Sequence, residues 1–201
     1  MRTLELSALR ESMVVDQTAL SRAVFIDKDG TLIDDLPYNV DPTLVRFTEG
    51  AFDALRLLAA QGFELIVVTN QPGIALDRFD RAALVGLQRH LTETLAAEGI
   101  VLGGFYACPH APSFGPVMNC LCRKPAPGLL HQAARARKLD LKRSWMIGDL
   151  LDDVEAGQRA GSRTVLLDVG NETVWRKSPM RTPHHVASSL LAAARLIAEF
   201  D

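Results

Sequence analysis

Phe25-Ile26-Asp27-Lys28-Asp29-Gly30-Thr31, preceded by Ala23 and Val24, is the stretch on which the fold turns. An apolar run that ends in two carboxylates and a glycine reads as a buried strand delivering acidic side chains to its C-terminal mouth. Asp27 and Asp29 stand at i and i+2, so they share a face as far as the extended geometry lasts. Two crowded carboxylates repel unless a cation neutralises them or one of them holds a proton. Both arrangements suit chemistry on phosphate. The plainer alternative is a strand closing in a polar Asp-Gly turn.

Outward from that strand, hydrophobic segments alternate between strand and helix character. Glu49 to Gln61 reads as an amphipathic helix stopped by Gly62, and Phe63 to Val68 as a second strand running into Thr69-Asn70-Gln71-Pro72-Gly73. Arg81 to Glu98 is helical, Phe105 to Ala107 a short strand, and Pro127 to Lys138 a helix with proline in its first turn. Trp145 to Ile147 is a strand ending in Gly148-Asp149, followed by a helix over Asp152 to Ala160. Arg163 to Leu167 is a strand, Pro183-His184-His185-Val186 adds a short one, and Ser188 to Glu199 is a last helix. The alternation predicts an α/β fold with a mainly parallel sheet covered on both faces, whose ligands bind outside the carboxyl ends of the strands. Those ends carry Asp27, Asp29, Thr69, Asn70 and Asp149.

The 201 residues are enough for one domain, expected over 22–201, behind an N-terminal extension over 1–21 with no assignable chemistry. A formal net charge of −2 argues against a dedicated nucleic-acid binder. The extension carries Arg2, Glu5, Arg10, Glu11 and Asp16, so it does not read as a signal peptide. The charge-free stretch from Gly99 to Cys122 is broken by prolines and glycines and does not read as a membrane helix. All three cysteines fall in one window, Cys108, Cys120 and Cys122, with His110 between them, which fits a reducing cytoplasm better than a disulfide framework. Three thiolates and an imidazole suit a closed, tetrahedral, structural Zn²⁺ site; the alternative is buried thiols beside an unrelated histidine. Pro109 to Leu121 lacks the periodicity to fold itself, so a metal cross-link would order it and fix Arg123 and Lys124 behind it.

Taken together, Asp27-Lys28-Asp29-Gly30-Thr31, then Thr69-Asn70, then Lys124, then Gly148-Asp149 with Asp153 four residues on, resemble the four motifs of the haloacid dehalogenase superfamily of phosphatases. The resemblance implies a Rossmann-like three-layer fold without a large cap domain. It implies Asp27 as nucleophile, Asp29 as general acid and base, and Thr69 and Lys124 as phosphoryl ligands. It also implies Mg²⁺ on Asp27, the backbone carbonyl of Asp29 and Asp149, supported by Asp153. The cysteine loop, followed by Cys122-Arg123-Lys124-Pro125, is similar to the subgroup holding heptose-bisphosphate and histidinol-phosphate phosphatases. That likeness implies a small phosphorylated sugar as substrate, contacted by Arg123, Asn70 and Gln71. Two positions depart from the heptose pattern: Leu150 replaces a lysine and Leu76 an arginine. A cytoplasmic monomer is expected, with no nucleic-acid or membrane partner. The competing readings are histidinol phosphate or another small phosphomonoester, a polynucleotide 3′-phosphatase, and a zinc-stabilised binding module without catalysis. His90, His131, His184 and His185 read as structural or surface residues, and Trp145 and Trp175 as core and loop packing.

Overall fold

The structure is a computed structural model that describes residues 20–112 and 120–200. The expected extension over 1–21 therefore lies outside the described residues up to position 19. Ser21 is already tied into the domain: its N–H donates to the Lys138 carbonyl at 3.1 Å, and its own carbonyl accepts from Asp140 at 2.7 Å. The part of the cysteine loop over 113–119 also lies outside the described residues.

Among the described residues six strands form one sheet: β1 (Ala23–Ile26), β2 (Glu64–Asn70), β3 (Leu102–Cys108), β4 (Trp145–Gly148), β5 (Arg163–Leu167) and β6 (His185–Ala187). Their order is β3-β2-β1-β4-β5-β6 and every pairing is parallel. Five α-helices accompany them among the described residues: α1 (Ala51–Ala60), α2 (Arg81–Ala97), α3 (Gly128–Arg137), α4 (Leu151–Ala160) and α5 (Leu190–Glu199). Strand order reverses between β1 and β4, so the crossovers from these strands run in opposite directions and leave a crevice between their C-terminal ends.

The period-2 pattern of the strands builds three layers. Val24, Ile26, Leu65, Val67, Trp145 and Ile147 join Leu55 and Leu58 of α1, Leu87 and Leu91 of α2, and Ala193 and Ile197 of α5 in one core. The alternate positions Ala23, Phe25, Ile66, Val68 and Met146 pack on the other face with Leu129, Leu130 and Ala133 of α3 and Ala156 of α4. Asp27 continues the parity of Ala23 and Phe25, which aims it toward the layer of α3 and α4.

Two expectations needed correction, the start of β3 and the placing of Trp175. β3 begins at Leu102, earlier than Phe105, because Gly103 and Gly104, poor strand formers by side chain, pair through their backbone with a register shift at Leu65/Ile66. The segment from Leu32 to Thr48 has the composition of a loop but is anchored: Leu32 and Ile33 are buried, Ile33 bridges to Phe47, and a 3₁₀ turn over Pro42–Leu44 is capped by Asp41. Trp145 is core, whereas Trp175 is half exposed instead of packed into its loop. No helix among the described residues is long and apolar enough to cross a membrane.

Candidate active site

The chain leaves extended geometry directly after β1. The Lys28 carbonyl accepts from the N–H groups of both Leu32 and Ile33, at 3.0 and 2.9 Å, closing a tight turn that lifts Asp27 and Asp29 into the crevice. Gly30 adopts φ +78°, and a Cβ there would lie 2.3 Å from Asp149 Oδ2. Only glycine permits both the backbone conformation and the approach of the β4 carboxylate.

Asp27, 7 % exposed, meets the Lys124 ammonium at 2.5 Å. Lys124 Nζ also lies 2.5 Å from Asp153 Oδ1 and donates to the Val68 carbonyl at 3.0 Å. Asp153, in the first turn of α4, accepts on its other oxygen from the Leu150 N–H at 3.1 Å. A Cβ on Gly148 would lie 2.3 Å from the Asp153 carboxyl, so the glycine before Asp149 makes room for that side chain. Asp149 accepts from Thr31 Oγ1 at 3.1 Å and from Asn171 Nδ2 at 2.8 Å. Asp27, Asp149 and Asp153 place carboxylate oxygens within 4.8 Å of one another, an arrangement that could hold a metal ion.

The electrostatics follow from crowding charge out of water. Burial, with the charge of Asp27 adding to it, pushes the Asp149 carboxyl up to about 6. Burial raises Asp153 too, Lys124 opposing it and the other carboxylates reinforcing it. Burial pulls the Lys124 ammonium down, but Asp153 and Asp27 on either side outweigh that and hold it above the ordinary lysine value. Burial likewise raises Asp29, against the pull of the Lys28 ammonium. One ammonium among three buried carboxylates leaves a net negative site of hard oxygen donors, which fits a divalent cation such as Mg²⁺.

Asn70, at the end of β2, makes a reciprocal pair with the backbone of Lys124: its Nδ2 donates to the Lys124 carbonyl at 3.1 Å and its Oδ1 accepts from the Lys124 N–H at 3.0 Å. Thr69 is buried, its Oγ1 accepting from Gln71 Nε2 at 2.9 Å. Arg123 is half buried, with Nη1 3.4 Å from the His110 carbonyl and its backbone N–H directed at Cys120 Sγ. One cavity of about 390 Å³ is bordered by Asp27, Asp29, Thr69, Asn70, Gln71, Arg123, Lys124, Asp149 and Asp153 together. These residues are separated by up to 126 positions in sequence.

Cys108, His110, Cys120 and Cys122 converge beside Arg123, whose backbone N–H is directed at Cys120 Sγ. Their sulfurs lie 3.7, 3.2 and 3.5 Å apart, and His110 Nδ1 is 3.5 Å from Cys108 Sγ and 3.2 Å from Cys122 Sγ. Tetrahedral Zn²⁺ with ordinary bond lengths has sulfur–sulfur edges of about 3.7 Å and sulfur–nitrogen edges of about 3.5 Å. The four donors fit such an ion.

The family model described as HAD-hydrolase-like matches residues 121–193. D-glycero-beta-D-manno-heptose-1,7-bisphosphate 7-phosphatase from Yersinia pestis is 39 % identical over 149 residues, covering 72 % of this chain and 79 % of that protein. The chain belongs to the haloacid dehalogenase-like phosphatases. It is therefore a phosphoric monoester hydrolase. The Escherichia coli (strain K12) protein of the same name is 40 % identical over 149 residues, covering 72 % of this chain and 78 % of its own. A HAD-like phosphatase from Mesorhizobium loti has the same fold at TM-score 0.73 and 33 % identity, over 89 % of this chain and 88 % of that one. D,D-heptose 1,7-bisphosphate phosphatase from B. bronchiseptica, solved with magnesium and phosphate, superposes at TM-score 0.73 and 28 % identity, over 90 % of this chain and all of that one.

The sequence reading of this phosphatase missed several cavity residues. Asn171 holds Asp149 from the loop after β5, and Gly170-Asn171 at a strand's C-terminal end was the signal that could have found it. Tyr38, Asp35 and Asp152 also border the cavity. Of the two departures from the heptose pattern, Leu150 borders the cavity, and Leu76 is an exposed side chain that does not.

Proposed function

We propose that this phosphatase hydrolyses a small phosphorylated sugar through an aspartyl-phosphate on Asp27, with D-glycero-D-manno-heptose 1,7-bisphosphate as substrate and the 7-phosphate as the group removed. The observation that carries the mechanism is the Lys124 ammonium 2.5 Å from the Asp27 carboxylate, in the cavity that Thr69 and Asp149 also border. A cation held between a carboxylate and the space in front of it lowers the repulsion that an incoming phosphoryl dianion would meet.

In the first step an Asp27 oxygen forms a bond to phosphorus, the bond from phosphorus to the sugar oxygen breaks, and Asp29 gives that oxygen its proton. In the second, Asp29 takes a proton from water, the water oxygen bonds to phosphorus, and the Asp27–phosphorus bond breaks to release phosphate. Thr69 and Lys124 hold the phosphoryl oxygens throughout. Asp27, the Asp29 carbonyl and Asp149 would hold Mg²⁺, which would supply charge neutralisation for the transferring group. Asp153 keeps Lys124 in place and supports this site, as its contacts with Lys124 and the Leu150 N–H favour. Cys108, His110, Cys120 and Cys122 would hold a structural Zn²⁺, because four protein donors would leave it no open position. Closing these four donors on one ion would order the loop that carries Arg123 toward the sugar.

The relatives' names support the heptose substrate. A second reading, histidinol phosphate or another small phosphomonoester, is favoured by one observation: apolar Leu150 borders the cavity where the heptose pattern has a lysine. Parallel kcat/KM measurements with Mg²⁺ on heptose 1,7-bisphosphate, histidinol phosphate and p-nitrophenyl phosphate separate the two. The heptose ester is expected to be preferred by at least tenfold, roughly the worth of one well-placed charged contact. Equal rates on all three would remove the substrate assignment, and full activity in Asp27→Asn would remove the mechanism.

A further inference from the structure

Lys28 and Gln71 are drawn out of solvent beside the site, at 1 % and 4 % exposure, and both point their polar ends at one carboxyl group. The Lys28 ammonium pairs with Asp29 Oδ1, and Gln71 Nε2 donates to Asp29 Oδ2 at 2.9 Å. We propose that Lys28 and Gln71 are positioning residues that clamp Asp29 by its two oxygens and so aim it at the leaving group. The inference rests on the reading of Asp29 as the proton carrier.

Asp29 needs such a clamp because of where it sits. It lies past the end of β1, in the turn closed on the Lys28 carbonyl, and its side chain keeps 28 % of its surface exposed. Packing alone does not fix its rotamer, yet proton transfer requires the donor oxygen within hydrogen-bond reach of the departing oxygen. A donor on each carboxyl oxygen removes rotation about the last side-chain bond.

The clamp is itself anchored. The Gln71 backbone N–H donates to the Cys108 carbonyl at 2.7 Å, which fixes it to the first residue of the cysteine loop. Its Nε2 also donates to Thr69 Oγ1 at 2.9 Å. One amide therefore joins the proton carrier to the hydroxyl read as a phosphoryl ligand, and the distance between the two is set by a single rigid side-chain group. Gln71 borders the cavity, but its amide nitrogen is already engaged twice. Its role is accordingly to orient Asp29 and not to grip the sugar.

In the step served, the Asp29 O–H bond breaks as its proton passes to the leaving oxygen. The phosphorus–oxygen bond to that atom breaks, and the bond from phosphorus to Asp27 forms. Proton donation matters most for leaving groups that are poor as free anions, so a misaimed Asp29 has a recognisable signature. The test measures kcat and KM with Mg²⁺ for p-nitrophenyl, phenyl and alkyl phosphates in the wild type, Gln71→Met, Lys28→Met, Lys28→Arg and Asp29→Asn.

Gln71→Met and Lys28→Met are expected to lose about tenfold in kcat on p-nitrophenyl phosphate and about a hundredfold on alkyl phosphates, with KM changed little. Lys28→Arg is expected to recover most of the loss. An equal loss across the series, a loss confined to KM, or no loss overturns the clamp. If Lys28→Met does not fold, as judged by circular dichroism, Gln71→Met decides alone. If Asp29→Asn is itself indifferent to the leaving group, the proton-carrier reading falls and the clamp with it. If Asp29→Asn shows the signature and Gln71→Met does not, only the clamp falls.

Discussion

Asp149 shows what the site costs the fold at the level of one residue. It is 3 % exposed and close to Asp27, and burial with that neighbour's charge pushes its carboxyl up to about 6. Removing the charge is expected to stabilise the protein while destroying its activity. Asp149→Asn should gain about 1–2 kcal/mol in urea unfolding with EDTA present and lack the further stabilisation that added Mg²⁺ is expected to give the wild type. A variant less stable than wild type in EDTA would show that the neighbours of Asp149 matter more than its charge. Gly30 is the converse case. Gly30→Ala forces φ +78° on a residue with a Cβ and drives that atom to 2.3 Å from Asp149 Oδ2. A loss of about 1–3 kcal/mol, with Mg²⁺ affinity reduced in calorimetry, is the expected outcome.

Among the elements, β6 is held at the sheet edge partly by a histidine. Thr164 donates its backbone N–H to His184 Nδ1 at 3.1 Å, and the His184 N–H returns a bond to Thr164 Oγ1 at 3.2 Å. An acceptor nitrogen must be unprotonated, and burial, with His185 and Arg163 nearby, holds the His184 imidazole below the ordinary histidine value. The unfolded chain then binds the proton more readily than the folded one. The contribution of His184 is present above about 6.5 and is lost as pH falls below it through the lowered folded-state value. Thermal unfolding of His184→Gln should lack that part of the wild-type pH dependence. The cysteine loop is the second case. With three sulfurs and one imidazole at metal-ligand separations, Cys120→Ser is expected to lose zinc by elemental analysis. It should also raise KM by about tenfold, because Arg123 hangs from Cys120 through its N–H.

At the scale of the molecule, the core and the site are separable. Leu55 is wholly buried in the α1 and α5 layer, on the face of the sheet away from Lys124 and Asp153. Leu55→Ala should cost about 2–5 kcal/mol in denaturant unfolding with kcat on p-nitrophenyl phosphate unchanged, since the cavity it leaves opens behind the sheet. A comparable fall in kcat would mean that the two layers move as one.

The strand-end residues Asp27, Asp29, Thr69 and Asp149 were legible because a buried parallel strand writes itself as an uninterrupted apolar run, and its exit is marked by the first polar residues after it. The same locality explains why helix ends were read to within a residue or two, and why the start of β3 was not, its second and third residues being glycine. Cys108, His110, Cys120 and Cys122 stood out because few residue types bind soft metals and all the cysteines gather there. Tyr38 and the inward-facing Lys28 were silent, because nothing local distinguishes a loop tyrosine or a lysine between two aspartates from ordinary surface. The strand order and the ion pair between Lys124 and Asp27, 97 positions apart, were decided only by the tertiary structure. Periodicity reports which face of each element is apolar. Which carboxylate meets which cation depends on how the elements stack, and that is settled by packing among residues distant in the chain.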